Sequence, residues 1–272
     1  MLKKLLKKEI TNLYRYQPFN EQYSREIFNE GKLYFPSPSK FNDPFDCKAL
    51  FTFEGSEDED FTKFFMGYYK NLYPDFTEAD IQQKIDATLR EGHHKNSAWR
   101  GLHYKEFKKI LEFEGDKLGV LCLSEKPDDI LMWAHYADRH RGFCLQFDKA
   151  GLISWRFCAP VKYQKLYPTF HKFIPLMEES RIDRLFLLTK SDHWKYEREW
   201  RVIVEPPENG NPDNRKIHFP QEALTGIIFG VQMHECDKNK VRLWLKGKTP
   251  PPKLYQAKKR EHEFALDIEE ID

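Results

Sequence analysis

The feature that most restricts the fold is the irregular interleaving of two hydrophobic periods along the chain. Phe143, Leu145 and Phe147 alternate with Cys144, Gln146 and Asp148 at the period of a strand. Short extended runs are also expected at 13–16, 32–35, 119–124, 161–163, 194–205, 216–219, 224–229 and, as an edge strand, 254–257. Helical spacing is expected at 2–10, 21–31 (ended by Gly31), 131–137 (started by Pro127-Asp128-Asp129 and stopped by Gly142), 174–188 and 236–246. No regular strand-helix-strand beat joins these segments, so the fold class is α+β rather than a parallel α/β sheet.

One region breaks the pattern. From about residue 54 to 118 an acidic tip, Glu54 to Asp60, leads into Phe61, Phe64, Phe65, Tyr68, Tyr69 and Leu72 at helical intervals. Two more helices follow, with Thr77 and Ser97 as expected N-caps and ends near Arg90 and Phe113. This reads as a helical insertion in a single domain spanning 1–272.

At 272 residues with 40% hydrophobic and 15% aromatic residues, the chain can build a full apolar core without staples, and disordered or fibrous classes are excluded. Basic residues number 44 and acidic 43, so no global field steers it to a polyanion, and such a partner must meet a local patch. No apolar run is long enough for a membrane span, and the Leu/Lys-rich start lacks the centre of a signal peptide, so a cytoplasmic protein without membrane partners is expected. The five cysteines contain no CxxC pair, and most are expected as buried thiols.

Familiar nucleotide motifs fail on their own chemistry. Gly247-Lys248-Thr249 resembles the end of a phosphate-binding loop, but Arg242 stands where Gly is required and Pro250 to Pro252 forbid the following helix. No G-x-G-x-x-G follows a strand and no G-x-S-x-G occurs. His93-His94, and His135 with His140, could suggest a metal, but the latter two are five residues apart and would not share a helix face, and no metal is expected.

Three segments carry candidate chemistry. In Trp194 to Val204, strand alternation would send Glu197, Glu199 and Arg201 to one face and Trp200, Val202 and Val204 to the other, lining up two carboxylates. Salt bridging on a solvated strand is the alternative. In Phe41-Asn42-Asp43-Pro44-Phe45-Asp46, the rings of Phe41 and Phe45 would pin a loop that holds Asn42 and Asp43, or the loop is turn chemistry alone. In Met132 to Ala137, Trp133 and Ala137 share one side and His135 another, so Trp133 and Tyr136 are either a packed helix or a platform for a ring.

Together these segments resemble a bacterial family of uncharacterised proteins with the pattern Y-R-Y, F-N-D-P-F, C-x-S, M-W-A-H-Y-A, W-x-Y-E-x-E-W-R and I-I-F-G, here Tyr14 to Tyr16, Phe41 to Phe45, Cys122 to Ser124, Met132 to Ala137, Trp194 to Arg201 and Ile227 to Gly230. That family in turn resembles a distant branch of the ADP-ribosyltransferases, with Arg or His on a first strand, Ser, Thr or Tyr on a second and Glu-x-Glu on a late one. The resemblance implies a split mixed β-sheet, NAD as co-substrate without a metal, and a toxin or anti-phage role in which an antitoxin partner restrains the enzyme. It assigns Arg15 to the first strand, Ser37 to the second and Glu197-Arg198-Glu199 to the third, with Tyr136 or Asn42 as replacements for Ser37.

Glu199 would then stabilise the oxocarbenium-like transition state, as carboxylates do in glycoside cleavage, and Glu197 would orient or deprotonate the acceptor. Arg15 and Glu199 are expected to face one hollow. Arg15, on the pyrophosphate or adenosine ribose, and Ser37, Asn42, Asp43, Trp133, His135 and Tyr136 would bind the cofactor. Lys190, Lys195, Arg198 and Arg201 would hold the acceptor, with RNA or DNA favoured slightly over protein. Two other classes stay open: a metal-dependent nuclease using Asp43, Asp46, Glu197 and Glu199, and an interaction module without turnover.

Overall fold

A computed structural model describes residues 10–52, 58–92, 95–171, 186–206 and 215–272. The expected helices at 2–10 and 174–188, the acidic tip and the His93-His94 pair therefore lie wholly or largely outside the described residues. The strands are β1 (Asn12–Gln17), β2 (Lys32–Tyr34), β3 (Leu50–Thr52), β4 (Gly119–Ser124), β5 (Phe143–Asp148), β6 (Phe157–Pro160), β7 (Lys162–Gln164), β8 (Thr169–His171), β9 (Thr189–Ser191), β10 (Glu199–Val204), β11 (Lys216–His218), β12 (Leu224–Phe229), β13 (Lys253–Lys259) and β14 (Leu266–Ile271). The fold class is α+β, with one large mixed sheet and several helices.

The chain divides into two compact units. The first comprises Met1–Ser37, Leu118–Val161 and His193–Asp272; the second comprises Pro38–Lys117 and Lys162–Asp192.

The first unit holds an eight-stranded sheet in the order β14-β13-β12-β5-β1-β4-β10-β6. Every neighbouring pair is antiparallel except β12 and β13. Both faces are covered, which is why β4, β5, β10 and β12 read as nearly continuous apolar runs. On one face Leu13, Leu121, Leu123, Phe143, Leu145, Phe147, Val202 and Phe229 pack with Ile27, Phe28, Leu152, Val241 and Leu245 from the helices. On the other, Tyr16, Cys144 and Ile228 pack with Met132, Trp133 and Ala137. Gly230, the last residue of I-I-F-G, is required because a Cβ there would run into the backbone carbonyls of His140 and Gly142.

In the second unit, helices Asp58–Leu72, Glu78–Arg90 and Ser97–Lys117 follow one another, and Phe61, Phe65, Tyr69, Ile81 and Ile85 form a core. Thr77 caps the second helix in a full capping box with Asp80. The third helix is capped one residue earlier than expected, by Asn96, whose side-chain oxygen accepts from the Ala98 N–H at 2.9 Å.

Other boundaries differ for local reasons. The run at 194–205 is a strand only from Glu199: Asp192–Glu197 is a 3₁₀ turn, and Arg198 has a left-handed backbone, φ 46°, which breaks the pleat. The strand at 254–257 is not an edge strand, because β14 lies outside it. The acidic β14 escapes a hydrophobic-period reading, yet it pairs with β13 and sets Glu270, Glu269 and Asp267 against Lys253, Lys258 and Arg260. Helix Lys149–Trp155 was not apparent from periodicity; Asp148 starts it by accepting from the Gly151 N–H at 2.7 Å. Helix Ile130–Tyr136 ends well before Gly142, in the left-handed residues Asp138, Arg139 and His140.

Candidate functional site

Three strands in the middle of the large sheet carry the candidate chemistry. β1 and β4 are joined at one register pair, Tyr14 opposite Ser124. On the other side of β4, Ser124 stands opposite Glu199 and Cys122 opposite Arg201. Paired residues share a face, so Tyr14, Ser124 and Glu199 form a row across β1, β4 and β10, on the face that carries Tyr16 and Cys144. Strand period puts Arg201 on that same face.

The 3₁₀ turn then brings Glu197 to the end of this row. The Ser124 hydroxyl donates to the Glu197 backbone carbonyl at 2.6 Å. From above, helix Ile130–Tyr136 delivers Tyr136, whose hydroxyl donates to Glu197 Oε1 at 2.8 Å. Asp129 starts this helix by accepting from the Leu131 and Met132 N–H groups, and the Trp133 indole N–H donates to the Pro127 carbonyl at 2.8 Å. Those bonds fix the angle at which Tyr136 arrives.

Electrostatically the row is closed. Arg201 Nε and Nη2 donate to the two Glu199 carboxylate oxygens at 2.7 and 3.2 Å. Glu197 is 2% exposed, Glu199 4% and Arg201 0%. A two-toothed guanidinium-carboxylate contact of this kind is directional as well as strong. Burial, with Cys144 and Tyr255 nearby, raises the Tyr14 phenol above its ordinary value, so it remains a proton donor.

Residues 132–202 match the family model described as Protein of unknown function (DUF2971). No curated protein and no solved structure matches the chain. The matched stretch runs from the start of M-W-A-H-Y-A through β10, so it contains Tyr136, Glu197, Glu199 and Arg201, the residues whose hydrogen bonds assemble the site.

Several expected site residues stand elsewhere. Arg15 lies opposite Leu145 on β5, on the face of Leu13, whereas Glu199 occupies the opposite face, so the two do not line one hollow. Its guanidinium donates to the Cys122 carbonyl at 2.9 Å, and its buried Nε has no partner among the described residues. Ser37 is buried beyond the end of β2, which pairs with β11 in a separate two-stranded sheet; the second strand of the large sheet is β4, and its serine is Ser124. Tyr14 and Ser124 join the row through strand pairing, which residue type and spacing do not show, although Ser124 ends the C-x-S element.

Trp133 is 0% exposed and cannot serve as a platform for a ligand ring. His135 is exposed and Tyr136 half-buried. Arg201 is buried against Glu199 and is not available to an acceptor, whereas Lys195 and Arg198 are exposed. Asn42, Asp43, Asp46 and Lys190 belong to the second unit. There Asp43 accepts from the Phe45 N–H at 2.9 Å, a turn contact, and Phe45 is 65% exposed. Buried Lys190 faces buried Asp46 at 3.8 Å. Among the described residues no three His, Cys, Asp or Glu side chains are grouped to hold a metal.

Of the thiols, Cys47 and Cys144 are buried, Cys122 and Cys158 partly so, and Cys236 is exposed at the start of helix Glu235–Leu245.

Proposed function

We propose that this chain is an NAD-dependent ADP-ribosyltransferase with a split sheet of that superfamily's kind, and that its working row is Tyr14, Ser124 and Glu199 with Glu197 beside it. The single observation that carries the reading is the adjacency of β1, β4 and β10 in one sheet: the first strand, a strand ending in Ser124 that stands in for the Ser37 strand of the resemblance, and the late strand that opens at Glu199. The one-pair junction between β1 and β4 supports the split.

In this reading the glycosidic C–N bond of NAD breaks and its electron pair leaves with nicotinamide. The ribosyl carbon becomes cationic, and the Glu199 carboxylate is the anion placed to stabilise it. Ser124 holds the turn that carries Glu197, and Tyr136 aims the Glu197 carboxylate, which takes the proton of the attacking acceptor. Tyr14 is a neutral donor toward the ribose. Arg15 has no part in this arrangement.

The closed Glu199–Arg201 pair favours a second reading, a binding module in which the pair is structural. Purified protein incubated with NAD, with and without RNA, DNA and protein acceptors, separates the two. Release of nicotinamide together with a mass gain on an acceptor is expected, with both lost in Ser124→Ala. No NAD turnover under any acceptor condition leaves the binding module.

A further inference from the structure

The turn leading into the candidate carboxylates carries basic and aromatic side chains at the surface. His193, Lys195 and Arg198 are exposed, and Trp194 and Tyr196 are half-exposed, all within the six residues before Glu199. The Trp194 and Tyr196 rings lie 6.1 Å apart at 41°, and Tyr196 packs with Tyr136 and Tyr14 against the Trp133 cluster. Exposed His135 stands edge-on to Tyr136 at 6.2 Å.

Several cations on the first unit are committed: Lys126, Arg141, Lys216, Lys238, Lys240, Arg242, Lys253, Lys258 and Arg260 all have carboxylate partners. Lys195 and Arg198 have none among the described residues. Exposed Arg198 moreover has a left-handed backbone, a conformation that costs about 1–3 kcal/mol and collects at functional sites.

We infer that this turn binds single-stranded nucleic acid, with Lys195 and Arg198 on successive phosphates and Trp194 and Tyr196 stacking bases beside Glu197. Unpaired cations alternating with rings are the pattern that single strands require, because the charges follow the backbone and every base offers a π-face. An acidic protein would satisfy the cations without engaging the exposed parts of the rings. The inference rests on the proposed transferase reading only for what happens to the strand afterwards; binding itself needs no NAD.

The test is fluorescence anisotropy of labelled 12-nucleotide RNA and DNA strands with the full-length protein, without NAD, across a salt series. Wild type should bind one or both strands, with the RNA and DNA arms showing which. Lys195→Ala/Arg198→Asn should weaken binding at least tenfold at low salt and flatten the slope of log K against log salt by about 1.4, roughly 0.7 per lost phosphate contact. Asn is chosen because it tolerates the left-handed backbone. Trp194→Ala should cost about five- to a hundredfold without changing the slope. Thermal melting of each variant at the wild-type temperature excludes unfolding.

No strand binding by wild type, unchanged affinity in the double variant, or equal competition by a polyglutamate peptide overturns the proposal. Strand binding without NAD consumption upholds it and removes the transferase reading instead.

Discussion

Tyr136 and Glu197 lie 61 residues apart, and the phenolic hydroxyl of one donates to the carboxylate of the other at 2.8 Å. The bond joins the M-W-A-H-Y-A helix to the turn before β10, so the two motifs that bound the family match are one physical unit. Tyr136→Phe keeps the ring and removes the donor. It should lower stability by about 1–3 kcal/mol, the usual cost of stripping a partner from a buried acceptor, measured by urea unfolding. On the proposed transferase reading, in which Glu197 acts on the acceptor, it should also reduce nicotinamide release with little change in the KM for NAD.

The buried Glu199–Arg201 pair makes an asymmetric prediction. Arg201→Met leaves a carboxylate in the sheet without its guanidinium and should cost about 3–5 kcal/mol. The double variant Glu199→Gln/Arg201→Met removes both charges and should recover part of that loss. Denaturant unfolding of the two single variants and the double variant gives the coupling; additive losses would mean the contact contributes nothing.

His140 predicts acid sensitivity. Burial, and then the nearby charge of Lys259, lowers its pKa below the ordinary histidine value. Its buried Nδ1 has no partner among the described residues, and its ring stacks on Trp133 at 6.2 Å. A folded-state pKa below the unfolded one means that the unfolded chain binds the proton more readily. Stability is therefore complete above the unfolded value near pH 6.5 and falls as pH drops through it. His140→Asn, which suits the left-handed backbone, should flatten the dependence of the melting temperature between about pH 7 and 5.

The cysteines should separate by reactivity. Exposed Cys236 should be alkylated first. Burial pushes the Cys158 thiol up to about 11 and raises Cys144 well above its ordinary value, so both should resist reagent at pH 8 until the protein unfolds. Timed alkylation read by mass spectrometry checks the order.

Much of the sheet was legible in advance because its strands are short apolar runs with clear ends: 119–124, 143–148 and 224–229 coincide with β4, β5 and β12. Their neighbours were not legible, since pairing is set by contacts far apart in sequence. That is why Ser37, after the second strand in chain order, lies outside the large sheet, whereas Ser124 lies within it. In Tyr14-Arg15-Tyr16 the alternation separates the arginine from the tyrosines, but nothing local tells which face carries the carboxylates. The Glu-x-Glu spacing was visible, whereas the left-handed Arg198 that takes Glu197 off the strand depends on the turn around it.

The most direct measurement is nicotinamide release from NAD by wild type and by Glu199→Gln, with the fold of the variant checked by circular dichroism. Measurable release by wild type is expected, with a loss of about a hundredfold or more in the variant, the size of a lost transition-state electrostatic contact. Equal rates in a folded variant, or no release by wild type with any acceptor, would contradict the transferase reading.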